Sequence, residues 1–214
     1  MCISVHQLCY VHADKEPLFQ NINLTVNTGQ RLALVGNNGT GKSTLLRIIE
    51  GNLKPSSGEV VCSSRPYYIP QHFGQFDNLT VAEALRVDDR IKALHAILEG
   101  DASAENFTCL NDDWDVEERC LSALASWNLE HLQLSQPMCS LSGGEKIRLL
   151  FCCLMIGNNA PDVFILDEPT NNLDIQSVEI ITAAIKSYRG TVLLISHDHY
   201  FVKEIKINRS VELF

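Results

Sequence analysis

The 214-residue sequence predicts an α/β fold: a parallel-sheet core, a small antiparallel β-subdomain, and a helical subdomain spanning about residues 80–156. Three observations carry this expectation. The runs "RLALVG" (31–36), "VFILDE" (163–168) and "TVLLIS" (191–196) are nearly continuous in apolar character, as parallel strands covered on both faces are. Each is followed by a helical segment, which sets the class as α/β. Between about residues 80 and 156 the apolar spacing becomes helical.

Taken in order, "ISVHQLCYV" (3–11) and "NINLTV" (21–26) alternate more and flank the turn-rich "HADKEP". With "GEVVC" (58–62) and "PYYI" (66–69) they predict the antiparallel sheet. "RLALVG" leads into "GNNGTGKST", and a helix begins around Lys42. "TVAEALRVDDRIKALHAIL" opens with Thr80 and Glu83 at capping-box spacing. "EGDASAENFTCLNDD" reads as an irregular connection. "DWDVEERCLSALASWNL" sets Val116, Cys120, Leu121, Leu124 and Trp127 on one helical face. "EKIRLLFCCLMIG" reads as a third, largely buried helix. There is no internal repeat, and residues 1–214 read as a single domain.

Composition narrows the class. Hydrophobic residues at 45% and charged residues at 20% are ordinary for a globular chain. No apolar run approaches the roughly 18 residues of a membrane helix. "MCISVHQLCY" lacks the basic-then-apolar pattern of a secretory signal, so the expected location is cytoplasmic. The eight cysteines show neither C-x-x-C nor metal-ligand spacing and read as reduced thiols, with Cys152 and Cys153 in the core. The net charge is −9, acidic residues cluster in "CLNDDWDVEE", and no compact Lys/Arg block exists. No direct grip on nucleic acid is expected from this chain.

"GNNGTGKST" fits G-x-x-x-x-G-K-[ST], with Gly36, Gly41, Lys42 and Ser43 in the fixed places and Asn37, Asn38, Gly39, Thr40 and Thr44 completing the loop. The glycines let backbone N–H groups curl around phosphate oxygens. Lys42 and the helix dipole supply positive charge, and the Ser43 hydroxyl can ligate Mg²⁺. The bland reading, a Gly-rich turn, fits poorly with a buried strand before the loop and "LLRII" after it. Asp167 ends a buried strand, where it would hold Mg²⁺ through water. Glu168 follows and can polarise a water toward a γ-phosphate. "DE" alone is a common strand end; with the phosphate loop it gains meaning.

His197 ends the third buried run. A lone histidine is usually structural, but three strand candidates ending in Gly36, Asp167–Glu168 and His197 suit ligand binding at carboxyl ends of strands. That favours a γ-phosphate contact from His197. His199 and His95 read as surface residues. Gln71 is a weaker candidate to ligate Mg²⁺ and sense the γ-phosphate. In "LSGGEK", Ser142 and Glu145 form a second capping box. The box does not explain Gly143 and Gly144, poor helix formers that let a ligand approach backbone closely.

Together and in order, "GNNGTGKST", Gln71, "LSGGEK", "LDEPTNNLD" and "SHD" resemble the ATP-binding cassette (ABC) superfamily over essentially the whole chain. The resemblance implies a P-loop NTPase-type core, ATP and Mg²⁺ as cofactors, and Ser43, Gln71 and Asp167 as the metal group. It implies ATPase activity, with Glu168 and His197 catalytic. Two cassettes of this family pair head to tail, and each "LSGGE" caps the γ-phosphate on the other. Ser142, Gly143 and Gly144 would thus serve another cassette's ATP. Asp174 would communicate across that interface, and loss of the γ-phosphate would weaken the pair.

"LSGGEKIRL", "DEPTNNLD" and "SHDHYFV" look most like the ABC-F branch, whose members lack transmembrane partners and mostly act on ribosomes. Many transporter cassettes carry Gln or Arg at the place of Lys146, and often "GLD" for "NLD". Members of the branch stack an aromatic side chain on adenine; the aligned residue is His12, with Tyr10 two residues earlier on the same strand face. His199 stands where the branch commonly has Arg. The branch usually joins two cassettes by a basic helical linker, and this chain holds one cassette. It is therefore a fragment or pairs with a second cassette, its own copy included. Competing readings are the energising subunit of an ABC transporter and a nucleotide-binding fragment without turnover as a monomer.

Overall fold

A computed structural model describes residues 2–12, 16–153, 156, 161–171 and 173–213. Parts of three predicted segments lie outside the described residues: Ala13 to Lys15 of "HADKEP", Leu154, Met155 and Gly157 at the end of the third helix, and Asn172 of "NNLD".

In chain order the elements open with β1 (Ile3–Val11), β2 (Pro17–Val26), β3 (Arg31–Val35), α1 (Lys42–Glu50), β4 (Ser57–Cys62) and β5 (Tyr67–Ile69). There follow α2 (Val81–Ala84), α3 (Asp88–Leu98), α4 (Ala104–Leu110), α5 (Val116–Ser126) and α6 (Gly143–Cys152). The chain closes with β6 (Val163–Asp167), α7 (Ile175–Ser187), β7 (Thr191–Ile195), α8 (His199–Glu204) and β8 (Arg209–Glu212). These form two compact units. The first comprises residues 1–71, 161–172 and 182–214, and the second residues 72–160 and 173–181.

The first unit contains both sheets. β6 and β7 are buried at every position, so both faces are covered and the runs need no alternation. The parallel sheet has the order β5-β6-β7-β3-β8. The antiparallel sheet has three strands in the order β2-β1-β4, with Ile3 opposite both Val26 and Cys62. Leu8, Leu24, Leu32, Leu45, Leu46, Ile165 and Leu193 belong to one buried apolar cluster of this unit. Arg31, at the start of β3, ties the end of α7 to the residue after α8. Its guanidinium donates to the carbonyls of Ile185 and Tyr188 at 2.9 and 2.8 Å, and to that of Ile205 at 2.5 Å.

Two strand expectations change here. "PYYI" was expected in the antiparallel sheet. Instead β5 pairs in parallel with β6, and its three residues are all buried, which a strand covered on both faces requires. β8 was not expected: its four residues are mostly exposed, so it carries no apolar signal, yet it pairs with β3 as the sheet edge.

The second unit is helical. The Thr80–Glu83 capping box forms, but the predicted helix breaks after α2, where Arg86 takes φ 59°, and resumes as α3. The "irregular" connection contains α4, started by Ser103, whose hydroxyl accepts from the Asn106 N–H; Leu110 is its buried anchor. On α5, Val116, Cys120, Ala123 and Leu124 are buried, while Leu121 is 49% exposed. The buried face is therefore rotated toward Ala123, away from Leu121. Trp127 stacks on Phe151 of α6, with centroids 6.0 Å apart. Within the acidic run, Asp113 pairs with Arg90 and Arg119, and Asp115 with Arg119.

Charge divides unevenly between the units. The first holds 11 basic and 10 acidic residues, the second six basic and 16 acidic. Their formal charges are +1 and −10, so the helical unit accounts for the acidity of the chain. No described helix is long and apolar enough to cross a membrane. None of the eight cysteines forms a disulfide among the described residues, and Cys152 and Cys153 are buried.

Candidate active site

In the first unit, the carboxyl ends of β3, β6 and β7 converge on one cleft of about 540 Å³. His12, Asn38, Gly39, Gly41, Lys42, Ser43, Thr44, Gln71, Asp167, Glu168 and His197 line it. Leu18, Asn171 and Ile195 also contribute. Gly36, Asn37 and Thr40 shape the loop without lining the cleft.

The loop after β3 is built by conformations that side chains resist. Gly36 has φ 143°, and a Cβ there would lie 2.4 Å from the Leu213 carbonyl oxygen, just beyond β8. Gly41, the N-cap of α1, has φ 88°, and its Cβ would meet Leu18 and Phe19 at 2.8 Å. The N-cap of α1 is Gly41, which has no side chain to cap the helix's first N–H groups. Lys42 is 7% exposed. Its ammonium donates to the carbonyls of Gly36 at 2.9 Å and Asn37 at 2.8 Å. The Thr40 hydroxyl donates to Asn37 O at 3.0 Å.

Asp167 is buried, and both of its carboxylate oxygens accept hydrogen bonds. Ser43 Oγ donates to Oδ1 at 3.1 Å, and the Tyr68 hydroxyl to Oδ2 at 3.0 Å. Burial first, and the Asp167 charge second, push the Tyr68 phenol far above its usual pKa, so it remains a donor. Glu168 is also buried and takes φ 49°, an uncommon left-handed conformation for glutamate. Its carboxylate accepts from the His197 backbone N–H at 3.1 Å, and the His197 ring Nε2 stands 3.2 Å from its other oxygen. The sequence placed His197 and Glu168 near one ligand; their direct pairing was not visible in it.

His12 is exposed on the cleft wall. Tyr10 is half-buried, edge-on to His12 at 5.5 Å and 6.1 Å from Phe19. Of the two, the aromatic surface offered to the cleft is thus that of His12. Gln71 is exposed in the cleft, two residues past β5.

The second unit holds Ser142, Gly143, Gly144 and Asp174. Ser142 Oγ accepts from the Glu145 N–H at 3.3 Å, and Glu145 Oε2 accepts from the Ser142 N–H at 2.8 Å. The Ser142 hydroxyl contact first, then its backbone N–H, lowers the Glu145 pKa to about 2. His131 Nε2 lies 2.8 Å from the other Glu145 oxygen. A Cβ at Gly143 would meet nothing within 4 Å; one at Gly144 would make ordinary contacts at 3.7 and 3.8 Å with Ser177 and Asp174. Neither glycine has a positive φ. Asp174 starts α7 by accepting from the Ser177 N–H at 2.8 Å and its hydroxyl at 2.9 Å, contacts that lower its pKa. His95 pairs with Glu117 at 2.8 Å, and His199 is exposed at the start of α8.

The donors suit a hard cation. Ser43 Oγ and Asp167 Oδ1 are adjacent oxygens, with the Gln71 amide on the same cleft. A few protein oxygens beside a phosphate-binding loop are what Mg²⁺ uses, since it keeps water and phosphate oxygens as its remaining ligands.

A sequence profile described as "ABC transporter" matches residues 19–171. ABC transporter F family member 2 of Arabidopsis thaliana is 36% identical over 211 residues, covering 99% of this chain and 28% of its own length. The probable ATP-binding protein YbiT of Escherichia coli O157:H7 is 36% identical over 196 residues, covering 90% of this chain and 32% of that protein. The chain thus spans about a third or less of the length of these relatives. In fold it is similar to a solved ATP-binding subunit of an ABC transporter. There the TM-score is 0.72 at 24% identity, over 100% of this chain and 86% of that one.

Proposed function

Because the chain belongs to the ABC transporter family and is an ATP-binding cassette of it, we propose that it hydrolyses ATP with Mg²⁺ on closing head to tail with a second cassette, as part of an F-type protein acting on the ribosome. The observation that carries the catalytic part is the convergence of Lys42, the Ser43–Asp167 pair and the Glu168–His197 pair on one cleft. The F-type part rests on similarity to the plant F-family members.

In this reading the loop N–H groups of residues 39–44 and Lys42 hold the β- and γ-phosphates. Ser43, Gln71 and Asp167 would hold Mg²⁺, which when bound would supply positive charge to offset that on the phosphate oxygens. Glu168 accepts a proton from the attacking water. His197 donates to the γ-phosphate and fixes the Glu168 carboxylate through its backbone N–H. His12 lies against the base.

The second helix start supports the pairing. Neither backbone conformation nor available space requires glycine at 143 or 144. Bare backbone there suits a phosphate approaching from another molecule. Asp174 sits 3.8 Å from the Cβ position of Gly144, placed to sense such a ligand.

Turnover per molecule should rise with protein concentration, or on adding a second cassette, as pairing completes each site. Glu168→Gln should lower it by about 10²–10⁴-fold and accumulate an ATP-bound pair on gel filtration. Wild type that hydrolyses nothing with a second cassette present defeats the enzymatic reading. Failure of the ATP-bound Glu168→Gln protein to co-sediment with ribosomes removes the ribosomal part and leaves the energising subunit of a transporter as the better reading.

A further inference from the structure

β5 brings to Asp167 a group that the phosphate-loop pattern does not announce. It runs beside β6 with Tyr68 opposite Ile165 and Ile69 opposite Leu166. The Tyr68 ring is buried, and its hydroxyl reaches Asp167 Oδ2 at 3.0 Å. The other oxygen of the same carboxylate faces Ser43 at 3.1 Å. The terminal torsion of an aspartate is broad and soft. A donor held on one oxygen by a rigid ring in a parallel sheet therefore fixes where the other oxygen points.

We propose that Tyr68 is a positioning residue for the metal site: its hydroxyl locks the Asp167 carboxylate so that Oδ1 stays beside Ser43, and thereby sets how tightly a divalent cation is held with the nucleotide. This rests on the reading of Ser43 and Asp167 as the metal-holding pair. Phenylalanine at position 68 fills the same space but leaves Oδ2 without that donor. The carboxylate then turns toward another donor or water, and Oδ1 leaves its place. Outer partners of metal ligands typically account for about 10–100-fold in metal affinity.

The test uses Mn²⁺ as a paramagnetic probe. Mn²⁺ is titrated by EPR into the full chain with saturating ATP, and ATP affinity is measured separately in EDTA. For Tyr68→Phe, Mn²⁺ affinity should fall about tenfold while ATP affinity in EDTA stays at the wild-type value. Tyr68→p-aminophenylalanine, which restores an N–H donor at the same place, should recover Mn²⁺ binding to within about threefold. Mn²⁺ affinity of Tyr68→Phe within twofold of wild type overturns the inference and leaves the site reading standing. Equal losses of Mn²⁺ and metal-free ATP binding mark general damage and overturn it as well. If the phenylalanine variant does not fold, the amine variant decides: near-wild-type Mn²⁺ affinity supports the role, and a tenfold loss defeats it. Wild type that takes up no Mn²⁺ with ATP overturns the metal-site reading and this inference together.

Discussion

Helices α1 and α6 both begin beside glycine, yet their first turns are finished differently. At α1 the N-cap is Gly41 in a left-handed conformation, which offers no side chain to the first N–H groups. At α6 a full capping box forms: Ser142 Oγ accepts from the Glu145 N–H, and the Glu145 carboxylate accepts from the Ser142 N–H. The charge around them differs as well, with +1 for the unit of α1 and −10 for that of α6. An uncapped start next to a buried lysine can hold phosphate unaided. A start with the Glu145 carboxylate beside it, in an acidic unit, is a poorer primary site for phosphate. In the proposed pairing, phosphate would reach α6 already held by the lysine and cation of the other cassette. The contrast supports the proposed division of labour, with a primary grip at α1 and a secondary contact at α6.

The largest effect that can break this contrast is at Lys42. Lys42→Ala removes the charge-assisted contact and should weaken ATP binding by at least about 100-fold, read by fluorescent-nucleotide titration. A loss under about threefold would mean α1 is not the primary grip. Gly143→Ala comes next. Alanine fits the helix and should leave thermal stability unchanged or raised by up to about 1 kcal/mol. Turnover at high protein concentration should nevertheless fall about tenfold, with ATP affinity of the dilute chain intact. Unchanged turnover would reduce α6 to a capped helix and nothing more.

The smallest effect is at Glu145. Its folded pKa, about 2, lies below the ordinary glutamate value of 4.5, so its charge stabilises the fold above the unfolded value and loses that contribution as pH falls toward 2. Glu145→Gln should cost about 1 kcal/mol at pH 7, after allowance for solvent screening. The cost should vanish as pH falls through that window, measured by urea denaturation at several pH values. A pH-independent cost would show that shape, not charge, makes the cap.

What was legible in the sequence follows what each signal depends on. β3, β6 and β7 were legible because strands buried on both faces must be apolar throughout. The phosphate loop was legible because its glycines occupy conformations closed to other residues. β8 was not: an edge strand with exposed side chains has no need of an apolar pattern. "PYYI" gave a strand but not its neighbour, because three residues do not specify a partner sheet. That ambiguity hid Tyr68, whose role depends wholly on β5 lying next to β6. Leu121 fits the helical period and is still exposed, because the buried stripe of α5 runs through the smaller Ala123. Ser103 and Leu110 were the two cues for α4, a capping hydroxyl and one anchor among polar neighbours.

Arg31 has a consequence for how this molecule opens. One planar guanidinium closes carbonyl groups at the end of α7 and at Ile205, just past α8. Lysine, a point charge on a flexible stem, does not reproduce that fork. Fraying of either segment gives up hydrogen bonds to the same side chain, so amide-hydrogen exchange at the two ends is expected to be coupled.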